Sequence, residues 1–175
     1  ATRKSSAAAP DHSTRAQAWI ITQEAAVVHL NCGLHDLKKE FGAGENAVPL
    51  AQYQTNLCHI MLSIQRQTQA IPIWATTTLV IEKWHHQVKD FDRFEADVRA
   101  YNEAALHSAN TCGIPVNDLF AAICAAGPEH YLLEDGVHFT EAGSTLLGKT
   151  VAEMERLFAA FHTMCTGDGE IDEAA

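Results

Sequence analysis

The sequence predicts an α/β fold, a three-layer α/β/α sandwich around a parallel sheet. Short apolar runs alternate along the chain with longer segments in which apolar residues recur every three or four positions. The apolar runs are almost uninterrupted, which is typical of parallel strands that helices cover on both faces. Strand and helix patterns alternate instead of grouping into separate halves, and this order favours βαβ units with right-handed crossovers.

Composition sets the size and excludes some partners. With 175 residues, 47% hydrophobic and 19% charged, the chain can form one globular domain with a full core. A formal net charge of -10 argues against nucleic acid or an anionic membrane, because phosphate binding needs a basic face. No apolar run approaches the roughly 20 residues that a membrane-spanning helix needs.

The five cysteines are scattered and include no Cys-x-x-Cys pair, which favours free thiols over a disulfide framework. We therefore expect a reducing compartment or an organelle interior rather than secretion. Residues 1–10 are predicted to be a disordered or processed tail, residues 11–163 the folded domain, and residues 164–175 a loose acidic tail.

The first elements are a short helix and a strand. Ser13 or Thr14 can cap a helix that carries Trp19 on its apolar side. The run 25–31 (Ala-Ala-Val-Val-His-Leu-Asn) ends at a glycine turn and predicts a central parallel strand. Inside it, His29 is predicted to be a hydrogen-bonded core histidine.

The middle of the chain predicts a loop, a helix and a second strand. Residues 37–47 are polar and contain two glycines, as surface loops do. Residues 48–67 carry apolar side chains at helical spacing over about five turns. The run 71–78 then predicts a buried strand with Pro72 near its start, where a missing N–H is tolerated.

The next segments follow the same alternation. Residues 80–93 lack a clear period and predict a long surface loop over the carboxyl ends of the strands. Residues 94–110 predict a helix that ends before Gly113. The stretch 114–120 predicts a third strand or strand-like segment, and residues 121–125 a short helix.

Asp135 and His138 stand three residues apart, directly before a final helix that Thr140 is predicted to cap. On a short turn, this spacing can bring the carboxylate to one imidazole nitrogen and leave the other nitrogen facing a cleft. Such a pair forms the orienting acid and general base of a nucleophilic triad.

These motifs resemble those of the SGNH hydrolases, also called the GDSL lipase/esterase family, over nearly all of residues 11–160. Residues 135–140 (Asp-Gly-Val-His-Phe-Thr) with Gly143 look like the family's last block, and residues 31–36 (Asn-Cys-Gly-Leu-His-Asp) look like its third block. Three further stretches are similar in the same order: 74–78, 98–103 and 116–119. The resemblance implies a flavodoxin-like sandwich and ester hydrolysis in which Asp135 and His138 are catalytic.

Two departures from the family pattern change what the resemblance implies. The family's oxyanion-binding asparagine is replaced by His35, whose neutral imidazole can donate one N–H, so His35 and Gly33 are the expected oxyanion donors. The family's Gly-Asp-Ser nucleophile block, at the end of its first strand, has no counterpart here. We therefore expect the sandwich to lack its first strand and the chain to be incomplete as a hydrolase.

Three hypotheses account for the absent nucleophile. A serine is supplied by another segment and the whole is an esterase; or the chain is an inactive structural or accessory subunit of a larger assembly; or Ser13 or Cys32 has been recruited. A helix cap for Ser13 and a buried thiol for Cys32 are the plainer interpretations. The first two hypotheses imply a protein partner or a homo-oligomer that covers the open sheet edge. We expect no cofactor and no metal.

Overall fold

The computed structural model describes Ile20, Thr22 and residues 25–166, so the helix predicted near Ser13 and most of the predicted C-terminal tail lie outside the described residues. Five α-helices and five strands are formed within 25–166. Their order is β1 (Val27–Leu30), β2 (Lys39–Glu40), α1 (Leu50–Gln67), β3 (Ile71–Ala75), α2 (Glu82–Val88), β4 (Phe91–Asp92), α3 (Glu95–Cys112), β5 (Val116–Asn117), α4 (Leu119–Ala126), a 3₁₀ turn (Pro128–His130) and α5 (Glu141–Thr166).

The main sheet has three strands in the order β1-β3-β5, and both neighbouring pairs are parallel. The register places Leu30 beside Trp74 and Trp74 beside Val116. Since the strands are parallel, the turns that follow them leave the sheet at one common rim. Open α/β sheets bind their ligands at this rim.

The sheet side chains alternate between two faces, as strand geometry requires. Leu30, Trp74 and Val116 pack into a core with residues of α1 and α3, such as Tyr53 and Tyr101. His29 and Asn117 lie on the opposite face, where α5 packs against β1 and β5. Helices therefore cover both faces, and the predicted three-layer α/β/α fold class is confirmed.

His29 joins β1 to β5 on the α5 side. Asn117 Nδ2 lies 3.1 Å from His29 Nε2 and 3.4 Å from the Thr150 carbonyl oxygen of α5. Burial lowers the pKa of His29, and the charge of Glu155 only partly opposes this. The imidazole is thus the neutral acceptor for the Asn117 amide. The predicted hydrogen bond of His29 is present, but the residue is half-buried and not in the core.

Two helix ends follow the sequence prediction closely. Gly113 has a φ of 67° and donates its N–H to the carbonyl oxygens of Ala109 and Asn110 at the end of α3. Thr140 accepts a hydrogen bond from the Gly143 N–H through its hydroxyl (3.1 Å), which is the expected cap of α5.

One segment prediction was wrong, and another gave a strand that is longer than the one observed. Residues 80–93 form α2 and β4 instead of one long loop. β4 pairs antiparallel with β2, which lies in the segment 37–47 that was also predicted to be a loop. The strand predicted at 114–120 is only two residues long. Asp118 stops it, because its carboxylate accepts from the Ala121 N–H (3.0 Å) and starts α4 two residues earlier than expected.

β1 was predicted as a central strand, but it lies at an edge of the described sheet. β3 pairs with one side of it, and no strand within residues 25–166 pairs with the other. Its four residues are all only half-buried, in contrast to the last four residues of β3, which are buried. The described residues contain no strand before Val27. Within them, no helix is both long and apolar enough to cross a membrane.

Candidate active site

A tight turn carries the predicted acid and base. Its ends are joined by a hydrogen bond from the Leu133 N–H to the His138 carbonyl oxygen (2.7 Å). Gly136, in its middle, accepts from the Ile81 N–H (2.9 Å) and has a φ of 67°. A Cβ at Gly136 would lie 2.5 Å from the Ile81 carbonyl oxygen, so only glycine fits here. Since Ile81 belongs to the loop that follows β3, the turn is anchored to that loop.

Asp135 and His138 make direct contact across this turn. Asp135 Oδ2 lies 2.5 Å from His138 Nδ1, while Asp135 Oδ1 accepts from the N–H groups of Val137 (3.1 Å) and His138 (2.9 Å). The carboxylate oxygen can only accept, so Nδ1 carries the proton and Nε2 has the free lone pair. The carboxylate side chain is 16% exposed and the imidazole 68% exposed. This arrangement gives a fixed acid beside an accessible base.

The Asp135 carboxylate is held in its charged form. Burial on its own raises the pKa of Asp135, but hydrogen bonds from the backbone and side chain of His138 and from the Val137 N–H outweigh it. The pKa of Asp135 is therefore well below its ordinary value. The Lys89 ammonium adds a further positive charge 3.4 Å from Oδ2.

Two buried side chains, the imidazole of His85 and the guanidinium of Arg93, lie near the turn that carries Asp135. His85 is fully buried, its Nδ1 lies 3.3 Å from the Asp135 carbonyl oxygen, and burial lowers the pKa of its imidazole. Arg93 donates through Nε to the Leu34 carbonyl oxygen (2.8 Å), and the charge of Asp135 opposes the lowering of the Arg93 pKa by burial. Arg93 thus links the surroundings of Asp135 to the turn after β1.

The predicted oxyanion donors lie in that turn. Gly33 is buried, and its carbonyl oxygen accepts from the Leu37 N–H (2.9 Å), whereas His35 is exposed. Asn31, two residues earlier, donates through Nδ2 to the Ala75 carbonyl oxygen (2.8 Å) and ties the turn to the end of β3. The structure therefore brings Asp135 and His138 into contact and joins them to the turn of Gly33 and His35 only through intermediate residues. The oxyanion role stays a prediction.

Neither of the two proposed stand-in nucleophiles gains support. Burial, together with the charge of Asp36, raises the pKa of the Cys32 thiol to about 12, so the thiol is protonated at neutral pH. Ser13 lies outside the described residues.

The adjacent histidines of α2, His85 and His86, are not part of a metal site within the described residues. His86 Nδ1 lies 2.6 Å from Asp92 Oδ1, whereas the adjacent His85 turns inward to Asp135. Throughout the described part of the chain, no three or more His, Cys, Asp or Glu side chains are grouped to hold a metal.

An open groove lies next to the turn. It is lined by Trp84, Gln87, Val88, Leu132 and Glu134. Trp84 packs against the buried cluster of Leu79, Ile123 and Leu132, so the floor of the groove is apolar.

Sequence reasoning missed three residues of this site: His85, Lys89 and Arg93. They contact or face Asp135 from 42 to 50 positions away in the chain, a separation at which no local spacing rule applies. The charged residues in 80–93 were the only available signal, and that segment was interpreted as solvated loop.

No protein-family model and no curated protein sequence matches the chain. Solved structures do. The lipase/acylhydrolase from Enterococcus faecalis is 19% identical with a TM-score of 0.67, over 81% of this chain and 67% of that one. A putative acylhydrolase from Bacteroides fragilis is 18% identical with a TM-score of 0.66, over 83% and 68%.

An acetylxylan esterase from Geobacillus stearothermophilus is also similar, at 18% identity and a TM-score of 0.61. The match covers 81% of this chain and 64% of that one. At these identities the likeness shows the fold and not the reaction. The chain has the SGNH hydrolase-type fold, as its sequence motifs predicted.

Proposed function

We propose that the chain is an SGNH-type ester hydrolase domain that contributes the general base His138 and the orienting acid Asp135. The observation that carries this proposal is the 2.5 Å contact between Asp135 Oδ2 and His138 Nδ1, with the carboxylate fixed by two backbone N–H groups. The contact selects the tautomer in which Nε2 can accept a proton, as general-base catalysis requires.

The reaction is acyl transfer to serine. A serine Oγ attacks the ester carbonyl carbon while His138 Nε2 takes the hydroxyl proton, and the resulting imidazolium is stabilised by Asp135. When the tetrahedral intermediate collapses, the bond to the alcohol breaks and His138 gives that alcohol its proton. Water, activated by the same imidazole, then releases the acid. N–H donors in the turn of Gly33 and His35 would stabilise the oxyanion, each by about 3–4 kcal/mol.

The serine in this proposal comes from another polypeptide segment, since the 175 residues contain no Gly-Asp-Ser sequence. Two surfaces support such a partner. One is the edge of β1 that no strand within residues 25–166 pairs. The other is an exposed apolar stripe on α5, formed by Leu157, Phe161 and Met164. Unpaired strand edges and exposed apolar patches favour association.

The proposed substrate is an acyl ester of a small molecule. The similar structures include proteins named a lipase/acylhydrolase and an acetylxylan esterase. The groove that Trp84 and Val88 line offers an apolar surface beside the turn of His138, where one side of such an ester can bind.

A fluorophosphonate probe tests the assignment on the chain isolated in its native assembly. We expect digestion and mass spectrometry to find one labelled serine, and hydrolysis of p-nitrophenyl acetate to accompany it. His138→Gln should abolish both, whereas His130→Gln, which changes another exposed histidine, should leave them intact. Labelling that survives in His138→Gln would show that this imidazole is not the base.

An accessory role is the second candidate function. The absence of a Gly-Asp-Ser sequence together with the α5 stripe favours it, because a binding subunit needs the surface but not the nucleophile. In this case the assembly forms normally, His138→Gln changes nothing, and neither the probe nor the ester reacts. The two candidate functions therefore predict opposite results in the same assay.

A further inference from the structure

Lys89 is placed at the acid-base pair by the end of α2. Its backbone N–H closes the helix on the His85 carbonyl oxygen (3.1 Å), and its side chain, one third exposed, extends to Asp135. The ammonium nitrogen lies 3.4 Å from Oδ2. This is the same carboxylate oxygen that accepts from His138 Nδ1 at 2.5 Å.

One carboxylate oxygen is therefore shared by two positively polarised groups. Because both nitrogens lie so near Oδ2, Lys89 Nζ and His138 Nδ1 are at most about 6 Å apart. At that distance two unit positive charges repel each other appreciably even in water. The repulsion exists only when His138 is protonated.

We propose that Lys89 is a positioning residue for the acid-base pair: its ammonium holds Asp135 Oδ2 in place and opposes protonation of His138. The inference rests on the proposed function for its catalytic meaning, but the charge effect itself does not require catalysis. A base that stays neutral at lower pH can accept the serine proton over a wider pH range.

The remaining charges around the pair leave a distinct role for Lys89. The positive charge of the buried Arg93 also acts on Asp135, but Arg93 donates through Nε to the Leu34 carbonyl oxygen and forms no ion pair with Asp135 among the described residues. His85 contacts only the Asp135 backbone oxygen, and its pKa is lowered, so it adds no full charge. Glu134, beside Asp135 in sequence, is exposed. Only Lys89 forms an ion pair with Oδ2 besides His138 among the described residues.

The test is an NMR titration of the histidine Cε1–H signals. His138→Gln identifies the His138 signal, since one of ten histidine signals disappears. In Lys89→Met the positive charge is lost, so we expect the midpoint of the His138 signal to move to higher pH, because the imidazolium no longer lies about 6 Å from a second positive charge. Lys89→Arg keeps the charge and should restore the original value.

Lys83→Met is the matched control, because it removes a lysine charge from α2, the helix that Lys89 follows directly, and Lys83 forms no ion pair within the described residues. It should leave the titration of His138 unchanged. Thermal unfolding of each variant distinguishes a structural role of Lys89 from its charge effect on His138. A lower Tm in Lys89→Met with an unshifted His138 titration would overturn the proposal. Lys89→Gln repeats the test should Lys89→Met not fold.

Activity gives a separate outcome. If the chain hydrolyses esters, the acidic limb of kcat/KM should move to higher pH in Lys89→Met by the same interval as the midpoint of the His138 NMR signal. If no hydrolysis occurs but the NMR shift appears, the charge effect stands and the proposed reaction fails.

Discussion

Replacing Gly136 by alanine tests how tightly the structure specifies the Asp135–His138 turn. Two penalties add. An L-residue at a φ of 67° is less stable than glycine by about 1–2 kcal/mol. The new Cβ would also lie 2.5 Å from the Ile81 carbonyl oxygen and 3.2 Å from the Trp84 Cβ, an overpacked contact that costs about 1–3 kcal/mol more. We therefore expect the free energy of unfolding to fall by about 2–5 kcal/mol.

Gly113 provides a matched control. It has the same φ of 67°, but a Cβ there would meet nothing within 4 Å. Gly113→Ala should therefore lower the free energy of unfolding by only about 1–2 kcal/mol. The difference between the two variants isolates the close approach of the turn to the loop after β3.

Urea unfolding at neutral pH, followed by far-UV circular dichroism, measures both values. The NMR signal of His138 should also move in Gly136→Ala, because relief of the clash displaces the turn that carries it. Equal stabilities of the two variants would refute the reasoning, since the packing of Gly136 against Ile81 would then contribute nothing.

Three further predictions concern single side chains. The pKa of Asp135 is lower in the folded than in the unfolded chain, so its stabilising effect is complete above about pH 4 and declines as the pH falls through the folded value. Asp135→Asn should accordingly unfold in urea with a weaker pH dependence below about pH 4, and an unchanged dependence would contradict this. The pKa of the Cys32 thiol is raised to about 12, so this thiol should react with iodoacetamide at pH 8 more slowly than the exposed Cys124. Peptide mass spectrometry measures both rates, and equal rates would argue against burial of Cys32. Thr140→Ala removes the cap of α5 and should lower the free energy of unfolding by about 0.5–2 kcal/mol, whereas an unchanged urea midpoint would mean that the Gly143 N–H finds another acceptor.

Much of the fold could be predicted from the sequence because its signals are local. The apolar spacing of residues 48–67 and 94–110 identified α1 and α3 to within two residues, and Gly113 marked the stop. The prediction of 80–93 as a loop failed because α2 is seven residues long, too short for its periodicity to show. The pairing of β2 with β4 joins segments about fifty residues apart, and no pattern in either segment indicates it.

The sequence alone predicted the contact between Asp135 and His138, since a spacing of three residues on a glycine turn can bring the carboxylate to the imidazole. Only the tertiary structure decided what surrounds that contact. Lys89 and Arg93 come close to Asp135 because the hydrogen bond from the Ile81 N–H to the Gly136 carbonyl oxygen holds the Asp135 turn against the segment that carries them. A hydrogen bond across three residues is fixed by local backbone geometry, whereas the charges that tune it come from segments that meet only when the core packs.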